Sequence, residues 1–279
     1  MESDSPTGHL VNALVDLKAR LHGLGSAVVA FSGGVDSTLL LRVAADTPGF
    51  RVVALTTYSP TTPPGETDEA RALADAIGVR HLLVPVNELD TPGYAANPPD
   101  RCYLCKQTLY PHCRALADAD GYEHVIDGVN VDDLGDYRPG LAAAATFGVH
   151  HPLADCGLTK EDVRELSRWY ALPTADKPAS PCLSSRFPYG TRITEERLRQ
   201  VATAESAMRS LGFRELRVRH LGDTAQVEIA SDEQWRLADD RTRSDIIREV
   251  RAAGFAAVEI SSRPFRSGSL NDTLRASRR

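Results

Sequence analysis

No stretch of the chain approaches the ~20 consecutive apolar residues that a membrane-spanning helix requires. The first residues, MESDSPTGHL, offer neither a basic n-region nor an apolar h-region, so no secretory signal is evident and a cytoplasmic protein is expected. Positive charge is not in excess. Lys and Arg number 32 against 38 Asp and Glu, a formal net charge of −6, which argues against a large nucleic-acid surface. Cysteine is sparse at five, an odd number, and two of these sit as CxxC. That suits metal or redox chemistry in a reducing compartment better than a disulfide framework. GxxxxGK[ST] and GxGxxG are both missing, which excludes a Walker A loop and a dinucleotide fingerprint. There is no internal repeat and no low-complexity tract.

What is present is an ordinary globular composition, 42% hydrophobic and 25% charged over 279 residues, enough for one large domain or two smaller ones. Short apolar runs at Val28–Phe31, Arg51–Thr57, Arg80–Val86 and His124–Asp127 read as strands. Amphipathic stretches at Leu10–Leu21, Asp36–Ala45, Glu66–Ile77 and Cys105–Ala119 read as helices. The alternation predicts an α/β fold, a parallel sheet with helices on both faces and ligands at the carboxyl ends of its strands. Residues 171–192 are rich in Pro, Ser and Gly, too long for a simple connection and therefore a functional loop. Beyond it, a helix at Glu195–Leu211, strands at Glu215–His220 and Ala225–Ile229, a helix at Thr242–Ala253 and a strand at Ala256–Ile260 predict a small α+β domain with an antiparallel sheet. The boundary is expected near Gly190, giving domains 1–190 and 191–279.

Ser32-Gly33-Gly34-Val35-Asp36-Ser37 follows a strand and opens a helix. Two glycines let the backbone turn sharply and approach a ligand, and the helix behind directs N–H groups and partial positive charge at the gap. A phosphate is the natural occupant. Ser32 and Ser37 add hydroxyls, and Asp36 can orient a magnesium ion or cap the helix. The competing reading is a tight connection with a capped helix, but SGGxDS in this setting favours a nucleotide site. The segment resembles the PP-loop of ATP pyrophosphatases. That resemblance implies ATP as cosubstrate, with pyrophosphate as leaving group and AMP transferred to an acceptor.

Cys102 and Cys105 lie on one side of a turn or first helical turn, near helix N-terminal amides that favour thiolate. Cys182 sits far off in sequence, in the loop KPASPCLSSR. Three thiolates suit a [4Fe–4S] cluster with one open iron, or a zinc with a fourth ligand. Cys113 and Cys156 read as buried structural thiols. In DGVNVDD, Gly128 permits close approach, Asn130 can read a polar edge, and Asp132 and Asp133 offer magnesium ligands or a turn and helix cap. Ser184, Ser185 and Arg186 follow Cys182 and suit a phosphate or carboxylate. Arg217 and Arg219 share one face of a strand, either a solvated face or an anion site, and Glu228 on the facing strand can pair with them.

The stretches FSGGVDS, NPPDRCYLCK, DGVNVDDLGDYRPG, HPLADCGLTKEDVREL, DKPASPCLSSRFPYGTRIT and FRSGSLN run in order from Phe31 to Asn271. In these the chain resembles the LarE family of ATP-dependent sulfur transferases of nickel-pincer nucleotide synthesis. The resemblance implies a PP-loop domain, a small C-terminal domain and homo-oligomers. It implies a small-molecule substrate, a pyridinium-3,5-dicarboxylate mononucleotide, adenylated and then converted to a thiocarboxylate. ATP is held by Ser32, Gly33, Gly34, Val35, Asp36, Ser37, Gly128, Asn130 and Asp132 in this reading, and the substrate phosphate by Ser185, Arg186, Arg217 and Arg219. Asp36, Ser37 and Cys182 serve catalysis, and Asp133 is a candidate magnesium ligand. Some members sacrifice a single loop cysteine, and others carry CxxC plus a loop cysteine and hold an iron–sulfur cluster. Cys102, Cys105 and Cys182 resemble the second kind. The competing readings are a PP-loop tRNA thiolation enzyme, which would be expected to carry further CxxC pairs or a basic surface, and a non-catalytic nucleotide- or zinc-binding regulator. An amidotransferase-type synthetase would leave the cysteines unexplained.

Overall fold

The structure is a computed structural model that describes residues 8–135 and 139–266. Among these, one compact unit takes 8–59, 65–86, 100–135 and 139–177, and a second takes 60–64, 87–99 and 178–266. The break at Pro178 and the two earlier segments differ from the expected contiguous division near Gly190. Each segment joins the unit against which its own backbone is bonded. The Leu183 amide donates to the Thr61 carbonyl, and the Gly190 and Ile193 amides donate to those of Asn97 and Ala95.

The first unit runs α1 (Gly8–Leu24), β1 (Ser26–Ala30), α2 (Val35–Ala45), β2 (Arg51–Tyr58), α3 (Glu66–Ile77), β3 (His81–Pro85), α4 (Arg101–Asp120), β4 (His124–Asp127), α5 (Val131–Leu134), α6 (Pro139–Thr146), β5 (Val149–His150), α7 (Pro152–Asp155) and α8 (Lys160–Trp169). Its five strands are parallel in the order β3-β2-β1-β4-β5. This is the PP-loop type of α/β fold. Central β1, SAVVA, is buried along its whole length, as a strand covered on both faces must be. Ala27 and Val29 face a core shared with Leu17, Leu39, Leu73 and Leu166 of the flanking helices. Val28 and Ala30 face the opposite core, with Tyr110, Cys113 and Ala117 of α4 and Ala143 and Ala144 of α6. The two-residue alternation of the strand thus assigns α4 and its cysteines to one side of the sheet.

The second unit contains α9 (Glu195–Ser210), β6 (Leu216–Leu221), β7 (Thr224–Ile229), α10 (Asp240–Ala252) and β8 (Ala257–Ile260). β6 and β7 pair antiparallel, joined by the tight turn at Gly222–Asp223, but β8 runs parallel to β7. The expected antiparallel sheet is therefore mixed. α10 intervenes between β7 and β8, and a helical crossover returns the chain in the same direction. Among the described residues no helix is long and apolar enough to cross a membrane. The N-terminal heptapeptide, residues 136–138 of the DGVN stretch, most of FRSGSLN and the Arg-rich tail lie outside the described residues.

Candidate active site

β1 ends at Ala30 and α2 begins at Val35, so the Ser32–Gly34 turn lies at the carboxyl edge of the sheet. Gly33 has φ +69°, and a Cβ there would fall 3.1 Å from that of Ala70. Backbone conformation and space both demand glycine. The Ser37 hydroxyl donates to the Gly34 carbonyl at 3.2 Å and accepts from the Ser32 amide at 3.3 Å, closing the turn. Ser37 is buried by this duty, whereas Ser32 is exposed. Gly34 is the residue before α2, and no side chain caps the helix, so Asp36 does not take the capping role open to it in the sequence. The first-turn amides and the positive end of the helix dipole face the turn. Gly128, just after β4, packs on the same turn: a Cβ would fall 2.7 Å from the Ser37 nitrogen.

Asp36 is held by two neighbours. Its Oδ1 accepts from Asn130 Nδ2 at 3.0 Å and its Oδ2 from Lys160 Nζ at 2.6 Å. Asn130 caps α5, accepting from the amides of Asp132 and Asp133, while Asp133 accepts in return from the Asn130 amide at 3.2 Å. Asp132 accepts from the Lys160 amide at 2.7 Å. Of the two readings open for Asp132 and Asp133, the turn-and-cap one describes this geometry. Asp36 is the acid placed at the glycine turn itself. Two lysines at the cradle were not singled out from sequence: Lys160 and Lys177. Lys177 Nζ reaches Glu66 at 2.7 Å, Glu69 at 2.8 Å and the Gly33 carbonyl at 3.5 Å. Burial would lower its pKa, but the Glu66 and Glu69 hydrogen bonds outweigh this and raise it. Both lysines stand inside quoted motif stretches, GLTK and DKPAS, yet lysine has no side-chain periodicity that would mark it as inward.

α4 begins at Arg101, four residues before its expected start, so Cys102 and Cys105 belong to its first turns, three residues apart on one side. Cys102 is exposed and Cys105 half-buried. Cys113 is buried, and burial pushes its thiol to about 12. Cys156 is only half-buried, although burial raises its thiol too.

In the second unit, Cys182 precedes a short 3-10 turn, Leu183–Arg186. Arg186 and Glu205 are both fully buried, and Arg186 donates Nε and Nη2 to the two Glu205 oxygens, each at 2.8 Å. Its Nη1 donates to the carbonyls of Pro181 and Cys182 and to Ser185 Oγ. The expected phosphate contact from Arg186 is therefore not what its geometry offers: Nε and Nη2 are taken by Glu205 and Nη1 by the cysteine loop. Burial pushes the Glu205 carboxyl up, but the Arg186 hydrogen bonds and charge pull it below the ordinary range. Arg217 and Arg219 are buried as well, so the solvated-face reading fails. Ala179 and Ser185 of the cysteine loop lie over their face and accept from Arg217 Nη2 and Arg219 Nη1 at 2.8 Å each. Arg219 also pairs with Glu228 at 3.0 Å. Arg217 donates to the Leu216 and Ala179 carbonyls rather than to a carboxylate, and stacks over Phe265 at 4.5 Å. Burial first, then the Arg186 charge, lowers its pKa to about 10.

No family model matches the chain. It is 37% identical over 260 residues, 92% of its length and 93% of the relative's, to the pyridinium-3,5-bisthiocarboxylic acid mononucleotide synthase of Lactiplantibacillus plantarum. The chain belongs to the LarE family. It is an enzyme of the sulfur-transferase type that serves nickel-pincer cofactor synthesis. Two uncharacterized proteins are also similar: one from Synechocystis, 43% identical over 95% of this chain and 99% of its own, and one from Methanocaldococcus jannaschii, 28% identical over 86% and 90%. In LarE terms, the glycine cradle with Asp36, Asn130 and Lys160 belongs to the first unit, with the CxxC helix. The loop cysteine and the arginine pair belong to the second.

Among the described residues, no three His, Cys, Asp or Glu side chains are gathered for a metal ion. The chemistry of the donors still suits the expected groups. Two thiols three apart on a helix suit a soft metal or cluster, and the Asp36 carboxylate beside the glycine turn suits a hard cation such as magnesium.

Proposed function

We propose that this LarE enzyme uses ATP to adenylate a carboxylate of a pyridinium-3,5-dicarboxylate mononucleotide and then exchanges a carboxylate oxygen for sulfur. The observation that carries the reading is the cradle. Gly33 turns tightly against Ala70 of α3, Gly128 admits backbone to within contact of α2's first turn, and Asp36 and Lys160 meet there. A triphosphate laid on that turn meets N–H groups and a helix dipole, and Lys160 can exchange its bond to Asp36 for one to phosphate oxygen. Asp36, so released, supplies an oxygen ligand to magnesium. The carboxylate oxygen attacks the α-phosphorus, the bond to the bridging oxygen breaks, and pyrophosphate leaves while held by the turn. The acyl adenylate then loses AMP to a sulfur nucleophile. The substrate follows from the chemistry in the L. plantarum relative's name: a bisthiocarboxylic product implies a biscarboxylic precursor.

Arg217 and Arg219 hold the substrate phosphate in this reading, with Ser185. The buried Arg217 guanidinium hydrogen-bonds only to carbonyls and shares the nearby Glu205 charge with Arg186, and an anion would offset the cost of burying it. Cys102, Cys105 and Cys182 are the ligands proposed for a [4Fe–4S] cluster, which when bound would present a sulfide at its open iron. Asp36→Ala tests the assignment. With the dicarboxylate nucleotide present, the variant should lose pyrophosphate release while retaining its fold by circular dichroism. Release at the wild-type rate would rule out the cradle as the adenylation site.

A further inference from the structure

One buried polar cluster at the same sheet edge takes no part in the nucleotide cradle. Asp127 closes β4 and is 4% exposed. Its Oδ1 lies 2.6 Å from His151 Nδ1 and accepts from the Val129 amide at 3.2 Å, and its Oδ2 accepts from the Tyr110 hydroxyl at 2.8 Å. A carboxylate can only accept, so His151 Nδ1 carries the proton and Nε2 of the neutral ring is a lone pair. Among the described residues Nε2 has no hydrogen-bond partner, and it is not among the buried polar atoms left unsatisfied; the side chain is 20% exposed. The ring is therefore fixed at one nitrogen and open at the other.

Its position is as informative as its bonding. β4 lies between β1, which carries the glycine turn, and β5, which His151 directly follows. Gly128, the residue after Asp127, is the one that touches α2's first turn. On the other side, Tyr110 belongs to a stripe of α4. Cys102, Lys106 and Tyr110 are four residues apart and share one helix face, with Cys105 at its border. Lys106 Nζ sits 5.1 Å from the Tyr110 ring centroid, which fixes that face. The stripe leads from the CxxC thiols to the Asp127 carboxylate, with Cys105 about 7.5 Å from Tyr110 along the helix axis. A purely structural tie is the simpler reading, but β4 and β5 are already paired through their backbones, and a tie has no use for an open Nε2.

We propose that His151, oriented by Asp127, is a further catalytic residue of this enzyme: the base that takes the proton from the attacking S–H group in the sulfur-transfer step. The proposal rests on the carboxylate-thiolation reading above. A sulfur donor of the hydrogen sulfide class attacks the carbonyl carbon of the acyl adenylate. The C–S bond forms, the C–O bond to AMP breaks, and its electron pair leaves on the AMP phosphate. The S–H proton passes to His151 Nε2, Nδ1–H stays with Asp127, and the imidazolium returns its proton to solvent. Nothing is oxidised or reduced. The buried Asp127 charge stabilises the imidazolium as it forms. The groups around the ring act in known directions: the Asp127 hydrogen bond raises its pKa most, burial lowers it, Asp155 on α7 raises it and Lys106 on α4 lowers it. Tyr110 completes the Asp127 shell, and the neighbouring His150 faces His124.

The test separates the two half-reactions, in the full-length enzyme given ATP, the dicarboxylate nucleotide and its sulfur donor. His151→Asn should cut thiocarboxylate formation by ~10²–10⁴-fold and leave pyrophosphate release little changed. In the wild type, sulfur transfer should fall as pH drops through a His151 pKa above the ordinary imidazole value, and His151→Asn should lose that acid limb. Asp127→Asn should move the limb to lower pH. A His151→Asn enzyme that thiolates at the wild-type rate, or keeps the limb, overturns the proposal. If His151→Asn loses both half-reactions, Asp127→Asn decides: a moved limb supports the base, an unmoved one overturns it. A wild type that makes pyrophosphate but no thiocarboxylate from any carboxylate donor overturns the underlying sulfur-transfer reading instead.

Discussion

Glu205→Ala should destabilise the second unit by about 3–5 kcal/mol, the cost of stranding one partner of a buried ion pair. Both side chains are completely buried, and the Glu205 carboxylate accepts from Arg186 Nε and Nη2, from the Val218 amide at 3.1 Å and from Arg209 at 3.4 Å. Alanine leaves a guanidinium with two unmet donors in a dry site, and an unpaired amide in β6. Against a typical stability of ~5–15 kcal/mol for a domain, that is a large fraction. Hydrogen exchange at the Val218 amide is the local reporter. It should accelerate by roughly 10²–10³-fold or more, since 1.4 kcal/mol is a factor of ten. Arg186→Met with Glu205→Leu removes both charges and should recover most of the stability, yet not the sulfur transfer, because the bonds from Arg186 to Pro181, Cys182 and Ser185 are gone. The Glu205 pKa is depressed in the fold. Its contribution is therefore fully present above the unfolded carboxylate value of about 4.3 and is lost as pH falls through the folded one. Glu205→Ala should lack that acid step. A loss below ~1 kcal/mol, or an unchanged Val218 exchange rate, would refute the argument that this pair holds the cysteine loop.

Arg217→Ala should weaken the nucleotide substrate more than tenfold with ATP affinity little changed, since a charge-assisted phosphate contact contributes ~1.5–3 kcal/mol; isothermal titration with each ligand checks it. Anaerobically reconstituted enzyme should be brown, and Ala at Cys102, Cys105 or Cys182 should bleach it, whereas Ala at Cys113 should not; iron and sulfide analysis reads the outcome. A colourless protein that loses the mass of hydrogen sulfide at Cys182 in one turnover would replace the cluster with a sacrificial cysteine.

The parallel sheet was legible because its strands are continuous apolar runs and its helices carry a regular apolar stripe, as at Glu66–Ile77, where the expected and observed limits coincide. β5 escaped notice because two residues give no period. α8 is strongly amphipathic, but its start is announced only by the Thr159–Asp162 capping box. The mixed second sheet followed from a crossover whose direction no strand pattern encodes. At the site, the glycine turn could be read because its residues act through backbone geometry, which glycine itself declares. Lys160 went unnoticed and Arg186 was expected at a phosphate, because a charged side chain looks the same in sequence whether it meets a ligand, an Asp36 beside a glycine turn or a buried Glu205. His151 gave no signal beyond its type, since its role depends on Asp127, which is 24 positions away in sequence and beside it in the sheet.

The central claim is that ATP activates a carboxylate through AMP before sulfur enters. Turnover of a dicarboxylate nucleotide labelled with oxygen-18 in its carboxylates, read by mass spectrometry, tests it most directly. The expected result is one labelled oxygen in the AMP phosphate for each thiocarboxylate formed, with unlabelled pyrophosphate as the other product. Thiocarboxylate accompanied by unlabelled AMP, or by ADP and phosphate, would contradict it.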